Sequence, residues 1–584
     1  MNWRLLCGAA ALALGIAAAP ATAQTIYPID RASILAGSKF DVKVEFPAMI
    51  INAVGMRVTL NGQDILQTGN GNPTFIQAED GKLVSSLIVR DVSIPTPGSY
   101  TLQASDGTNT KSVTWEVYGT PANPVAKNVI LFIGDGMSVA HVTAARILSR
   151  QVVEGKYKSK LTIDTFPAMA TIGTSGVDSV ITDSANSAHA YTTGHKSTTN
   201  ALGVYVSRAA VNTAHPRVET LAEIVKRKTA KSVGVVTNTE IEDATPASMT
   251  SHTRSRSDYD IIVEQQYNVR PDVILGGGAA NFLPKSAPGS RRADDQDFIA
   301  RYRAAGYPVA TTLGEMKAAA ANTANTRMLG LFHLSNMDGV LDRKFLKANT
   351  VGTYPQQPDL TDQVRAAIDV LSRNPNGFVL MVESGLIDKF SHPLDWERAV
   401  YDTIMLDNAV KVAVDYAGSR NDTLIMVMPD HTHGINIVGT VDDSRTGDQM
   451  RDKIGVYQDA GYPNYPAPNA ENYPEKVDVT KRLAVFFNNF PDYYETFRPK
   501  LDATFNPAVQ DPASKIYVAN QKYKDVPGAM LRTGNLPRAT GSTGVHTADD
   551  GIARGFGPGS DQLKGFVENT EIFRIMATAL ALGR

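Results

Sequence analysis

Between positions 39 and 117 the chain alternates apolar and polar residues in short runs. Lys39–Phe46 (KFDVKVEF) is the clearest. Met56–Leu60, Val84–Val89, Ser99–Ala104 and Ser112–Val117 follow, separated by turn dipeptides such as Asn61-Gly62 and Pro97-Gly98. A period of two puts alternate side chains on one face, so short runs at this spacing predict an all-β sandwich over residues 24–119. Gly119 to Pro124 (GTPANP) reads as a linker. Beyond it the texture changes. Val129–Ile133, Val233–Val236, Val273–Leu275, Met328–Phe332, Phe378–Val382 and Leu424–Met428 are continuously apolar, with helical patterns between them. Strands buried on both faces mark a mostly parallel sheet flanked by helices, so residues 125–584 predict a doubly wound α/β domain. Asp395–Ala417 places apolar residues at Trp396, Val400, Ile404 and Val410, a helical spacing. Residues 447–541 are rich in Tyr, Pro and Asn and lack the βα rhythm apart from Leu483–Phe487. They read as an insertion beside or over the ligand-bearing edge of the sheet.

Composition changes this picture little but excludes some functions. The 584 residues are 43% apolar and 20% charged, with a formal net charge of −2, an ordinary globular balance. No basic excess points to a nucleic-acid partner. Residues 1–23 read as a secretory signal peptide. Arg4 closes a short positive start, Leu5 to Ala19 is apolar, and Ala21-Thr22-Ala23 is a small-residue cleavage site. The apolar stretch is too short to cross a bilayer, which takes about 20 residues. No later segment is apolar enough, so a product without a membrane span, periplasmic or secreted, is expected. The single cysteine, Cys7, lies within the signal. The exported part then has neither thiol nor disulfide, and its stability must come from core burial and bound metal. Pro97 to Leu102 (PGSYTL) resembles the tyrosine corner of immunoglobulin-like domains, with Leu102 where a cysteine could stand. The sandwich is therefore read as immunoglobulin-like and as a packing module, with carbohydrate or cell-surface binding as the alternative.

Ligands of an open α/β sheet bind beyond the carboxyl ends of its strands. Asp135 follows the run Val129–Ile133, and a loop with Asp243 and Thr245 follows Val233–Val236. Glu383 follows Phe378–Val382, and Asp430, His431 and His433 follow Leu424–Met428. One such carboxylate is commonly a cap or turn residue. Four strand ends carrying oxygen and imidazole to one edge point instead to metal. Asp388 and His392 stand four apart, so a helix puts both on one face. A mixed carboxylate and imidazole set suits zinc. Ser184, in ITDSANSA at 181–188, precedes helix-favouring residues. A serine there meets free backbone N–H groups that bind phosphate well, although it is equally an ordinary helix cap. A neutral serine is a weak nucleophile. Its neighbour Asp183 is a poor proton acceptor, so activation by zinc is the better reading.

Together these residues resemble the alkaline phosphatase family. The matches run in order: IGDGM at 133–137, TDSANSA at 182–188, EDATPAS at 242–248 with HTRSR at 252–256, MVESGLIDK at 381–389, PDHTH at 429–433 and GVHT at 544–547. Any one motif is weak, but the ordered set is specific. The resemblance implies hydrolysis of small phosphate monoesters through a phosphoserine on Ser184, with two Zn2+ and one Mg2+ as cofactors. It assigns Asp388, His392 and His546 to the first zinc. Asp135, Asp430 and His431 go to the second, with Ser184 as its reacting ligand, and Asp135, Thr245 and Glu383 to magnesium. Arg256 matches the family's phosphate-clamping arginine, with Arg254 the rival if the loop is read differently. Asp243 and Lys389 match positions that act through water, and His433 is expected to orient Asp430 or His431. The implied chemistry is an in-line displacement clamped by two zinc ions, favoured at alkaline pH. The implied assembly is a homodimer.

Some positions depart from the family. Asn186 and His189 stand where smaller residues and a threonine are usual; His189 is expected on the helix surface, with lining the pocket or approaching the metals as the alternative. The family's disulfides are missing, the β domain is extra, and the stretch between His433 and His546 resembles its variable crown-like insertions. A phosphodiesterase of the same superfamily is the nearest alternative. Those enzymes often use threonine as nucleophile and usually lack the magnesium set, so Thr245 and Glu383 weigh against it. A sulfatase would need a C/S-x-P-x-R motif, which is absent. A non-catalytic surface-binding protein built on this core would have lost ligands, and all are present.

Overall fold

The six continuous apolar runs all become strands of one ten-stranded sheet. The computed structural model describes residues 24–51, 55–68 and 70–583; the expected signal peptide and Cys7 lie outside them. Across the sheet the strands run Val309–Ala310, Met328–Leu331, Val273–Gly277, Ser232–Glu240, Phe378–Ser384, Asn128–Gly134, Thr423–Met428, Gly551–Phe556, Ala168–Gly173 and Lys564–Glu568. All pair in parallel except Gly551–Phe556, which is antiparallel to both neighbours. Side chains alternate between two cores, as a sheet covered on both faces requires. Ile130 and Phe132 point into one, with helices Leu360–Leu371 and Trp396–Ala417. Val129, Leu131 and Ile133 point into the other, with helices Leu221–Lys228 and Asn569–Ala579.

Register decides where the chemistry goes. Ile133 pairs with Glu383 on one side and Met428 on the other, and Thr237 also pairs with Glu383. Four adjacent strands therefore end level, and the residues just past them share one edge. Residues 447–541 add no strand to this sheet. Lys481–Phe487 pairs instead with Ile435–Asp442, and the Tyr401 hydroxyl donates to the Pro474 carbonyl at 2.5 Å along the long helix.

The N-terminal region is a sandwich of a four-stranded and a five-stranded sheet. Asn61 and Gly62 both have positive φ, 49° and 82°, and join Arg57–Leu60 to Gln63–Asp64. A two-residue hairpin matching the strand twist needs that conformation at both positions. The Tyr100 hydroxyl donates to the Thr96 carbonyl at 3.0 Å, the corner expected from the sequence. Between the sheets Phe40 meets the buried Trp115 edge-on, ring centroids 5.8 Å apart.

Candidate active site

Ser184 opens the helix Ser184–Thr193, every residue of which is buried. Asp183 caps it by accepting from the Asn186 backbone N–H at 3.1 Å, and Asn186 Oδ1 accepts from the Asp183 N–H at 3.1 Å. The exchange satisfies two N–H groups that a helix start leaves without partners. It also explains the unusual Asn186, which is a capping residue. The Tyr191 hydroxyl donates to the Pro429 carbonyl at 2.6 Å, fixing the helix to the end of strand Thr423–Met428. The Ser184 hydroxyl then stands 3.3 Å from His431 Nε2.

Two groups of side chains could each hold a cation. The first is Asp388, His392, His433 and His546; the second is Asp135, Asp430 and His431. In the first, His392 Nδ1 lies 2.7 Å from the Gly544 carbonyl and His546 Nδ1 lies 2.8 Å from the Thr182 carbonyl. A carbonyl only accepts, so both Nδ1 atoms carry hydrogen, and in a neutral ring each Nε2 then presents a lone pair. Those lone pairs face each other at 3.2 Å and face Asp388 Oδ1 at 3.2 and 3.3 Å. Three electron-rich atoms turned on one another fit a cation between them. In the second group His431 Nε2 lies 3.0 Å from Asp135 Oδ1 and 3.4 Å from Asp430 Oδ2. Asp430 Oδ2 and Thr245 Oγ1 are buried without a hydrogen-bond partner among the described residues, which also fits cations.

The electrostatics agree. Burial and the neighbouring carboxylates push Asp135 well above its usual range. Burial drives Glu383 up to about 7 and Asp430 up to about 6. Buried like charges resist ionising together, and a divalent cation removes that conflict. Burial also holds His431 well below its usual range, keeping it a neutral donor of electron pairs. Arg256 sits between Asp243 Oδ1 at 2.8 Å and Asp183 Oδ2 at 3.3 Å. Lys389 Nζ meets Asp243 Oδ2 at 3.0 Å, and although burial opposes it, the two cations hold Asp243 well below its usual range. Asp243 and Lys389 thus touch directly. Arg254 turns elsewhere and donates to the Thr199 carbonyl at 3.0 Å.

Two expectations are corrected. His189 is not on a surface: its helix is buried all round, and its Nδ1 accepts from the Gly203 N–H at 2.8 Å. His433 orients neither Asp430 nor His431; its Nε2 meets Asp388 Oδ1 at 2.7 Å. Sequence reasoning missed Thr237 and Thr239. Their hydroxyls donate to Glu383 Oε2, the latter at 3.0 Å, and fix that carboxylate. Both sit in the strand before Asp243, and two threonines in a buried run were the available signal. It also missed Asp183 as the anchor of Arg256.

Residues 126–582 match the family model described as alkaline phosphatase. Alkaline phosphatase H of Pseudomonas aeruginosa is 33% identical over 351 residues, 54% of this chain and 71% of that protein. Alkaline phosphatase 3 of Bacillus subtilis is 28% identical over 471 residues, 78% of this chain and 89% of that one. Among solved structures, Thermus thermophilus alkaline phosphatase superposes with a TM-score of 0.56 at 23% identity, covering 80% of this chain and 93% of its own. A cold-active alkaline phosphatase from Shewanella gives 0.52 at 23% identity, covering 78% and 99%. The solved structures agree in fold, and the family model spans the whole α/β region with its ordered motifs. The chain belongs to the alkaline phosphatase family and is a phosphatase-type hydrolase.

Proposed function

We propose that this chain is an exported phosphomonoesterase that works through a phosphoserine at Ser184. The carrying observation is that the Ser184 hydroxyl, at the start of a buried helix, faces His431 within one cation-binding group. Asp388, His392 and His546 would hold one zinc ion, with His433 bracing Asp388. Asp135, Asp430 and His431 would hold a second, and Asp135, Thr245 and Glu383 a magnesium ion. When bound, the cations supply positive charge and Lewis acidity at the reacting oxygens.

The chain's own groups do the rest. Asp183 and Asn186 cap the helix, and the N–H groups of Ser184 and Ala185, which neither cap bond uses, are left to meet an anion. Arg256, pinned by Asp183 and Asp243, presents its remaining donors to two phosphoryl oxygens. Ser184 Oγ attacks phosphorus; the Oγ–P bond forms as the ester P–O bond breaks and the alcohol leaves. Water then cleaves the Oγ–P bond, releasing inorganic phosphate and restoring the hydroxyl. A monoester, with its extra charged oxygen, suits this density of positive charge better than a diester, and Thr245 with Glu383 supports the magnesium site. A homodimer belongs to the same reading. No helix among the described residues is long and apolar enough to cross a membrane.

The test is hydrolysis of p-nitrophenyl phosphate by wild type and Ser184→Ala, with bis-p-nitrophenyl phosphate as comparator. Monoester turnover is expected to exceed diester turnover, and the variant to lose about 10⁴-fold or more in kcat. Faster diester turnover would overturn the substrate; full activity of Ser184→Ala would overturn the nucleophile.

A further inference from the structure

The segment after the nucleophile helix, residues 199–219, is bonded on both sides, and the two sides lead to different parts of the molecule. One side carries the segment that ends at Arg256. Leu202 and Thr253 exchange backbone hydrogen bonds at 2.9 Å, the Arg254 N–H donates to the Asn212 carbonyl at 2.9 Å, and the Arg256 N–H donates to the Asn200 carbonyl at 2.9 Å. The Asn200 N–H in turn donates to Asp183 Oδ2 at 3.1 Å. Gly203 joins the nucleophile helix as well: its N–H donates to His189, and its carbonyl lies 2.8 Å from His252 Nδ1. Gly203 has φ +61°, and a Cβ there would lie 2.1 Å from the Ser251 carbonyl oxygen. Only glycine permits that approach.

The other side is seated on the sandwich. Asp41 and Arg217 bond through the Asp41 N–H to the Arg217 carbonyl and the Arg217 N–H to Asp41 Oδ2, both at 2.8 Å. Arg208 Nε donates to Glu79 Oε2 at 2.6 Å, its NH1 to the Phe46 carbonyl at 2.8 Å, and its N–H to Glu45 Oε1 at 2.8 Å. Lys43, only 1% exposed at its side chain, reaches Glu79 Oε1 at 2.5 Å and Ser207 Oγ at 3.0 Å. Tyr205 and Val218 enter the sandwich's own apolar core. Lys43, Glu45 and Glu79 are deeply buried charges, costly unless paired, and the part-buried Arg208 completes their pairing, so this contact tolerates little sliding.

Resting on the phosphatase reading above, we propose that the sandwich is a positioning module. It sets the place of Arg256 and of the Ser184 helix through the 199–219 segment, and Arg208 is the positioning residue on which that coupling turns. On this proposal the sandwich has a part in substrate binding beyond packing.

The experiment uses the full metal-loaded chain. Wild type, Arg208→Ala, Arg208→Lys and the sandwich-core control Val58→Ala are compared. The readouts are inorganic phosphate affinity by calorimetry, KM and kcat for p-nitrophenyl phosphate, bound metal and Tm. Arg208→Ala is expected to weaken phosphate binding and raise KM about 3- to 30-fold, with metal content unchanged. Arg208→Lys should recover part of the loss. Val58→Ala should lower Tm and leave phosphate affinity at the wild-type value. The proposal falls if Arg208→Ala lowers Tm alone, if it loses phosphate affinity only in step with metal, or if Val58→Ala weakens phosphate as much. Phosphate affinity needs no turnover, so a wild type that binds phosphate but hydrolyses no monoester would sink the functional reading and still report on the coupling.

Discussion

Two buried clusters of charge in this protein look alike in composition and differ in balance. Around Arg398, its Nε and NH2 donate to Asp342 at 2.9 and 2.8 Å, and its NH1 donates to Asp395 at 2.8 Å, with all three side chains fully buried. The Phe505 N–H adds a further bond to Asp395 at 2.8 Å. At the strand ends, Asp135, Glu383, Asp388 and Asp430 are just as buried, yet carboxylates crowd one another and Asp430 Oδ2 has no hydrogen-bond partner among the described residues. In the first cluster Arg398 lies between the two carboxylates and bonds both, tying the long helix to the segments of Asp342 and Phe505. The second leaves its balance to something from outside the chain. Burial of charge alone does not distinguish a site from a scaffold; whether the buried oxygens find partners within the described residues does.

The contrast can be broken from either end. The largest effect should follow removal of cations. Exhaustive chelation is expected to abolish hydrolysis and to cost about 4 kcal/mol of stability if the ions are normally held at 1,000 times their dissociation constant. Zinc with magnesium should restore both, read by activity and Tm. Next, Asp342→Ala leaves Arg398 underpaired in the interior and should destabilise by about 3–5 kcal/mol, measured by denaturant unfolding, with little change in bound metal. Asp430→Asn should do the opposite in metal-free protein. It removes one of the crowded carboxylates and should raise stability by about 1 kcal/mol, while the loaded enzyme loses metal and activity. A fall in metal-free stability would contradict the charge argument.

The smallest effect concerns the balanced pair Glu223 and His252, 2.9 Å apart. Against the cost of burial, each holds the other charged, so Glu223 lies below its ordinary 4.5 and His252 above its ordinary 6.5. A lowered carboxylate gives stability that is present above the unfolded value and lost as pH falls through the folded one. A raised histidine gives stability that is present below its unfolded value and lost as pH rises through the folded one. Both contributions are therefore full only between about pH 4.5 and 6.5. The stability gap between metal-free wild type and Glu223→Gln, measured by denaturant unfolding, should be widest in that window, on the order of 1 kcal/mol, and should narrow at alkaline pH.

The sequence made much of the metal-capable edge legible because Asp135, Glu383, Asp430 and His431 stand just past continuous apolar runs, a local pattern that survives folding, whereas His546 was placed only by the family resemblance. The six central strands and the helix Trp396–Ala417 were readable for the same reason. Ala168–Gly173, Gly551–Phe556 and Lys564–Glu568 were not: their apolar residues are interrupted by threonine, glycine or charge, and the strand Ala168–Gly173 pairs with partners nearly 400 positions away along the chain. His189 was misplaced because a helix buried on every side has no polar face to predict. The bond from His433 to Asp388, the threonine clamp on Glu383 and the Arg208 seat on the sandwich are contacts between distant segments. No local period encodes them.

The position of His546 has a consequence for synthesis. Its imidazole completes the cage around Asp388, and the strand that follows it, Gly551–Phe556, runs against the direction of its neighbours and fills the gap between Thr423–Met428 and Ala168–Gly173. Until the stretch from His546 to Phe556 has been made and docked, the group around Asp388 lacks one imidazole and the sheet lacks the strand between Thr423–Met428 and Ala168–Gly173.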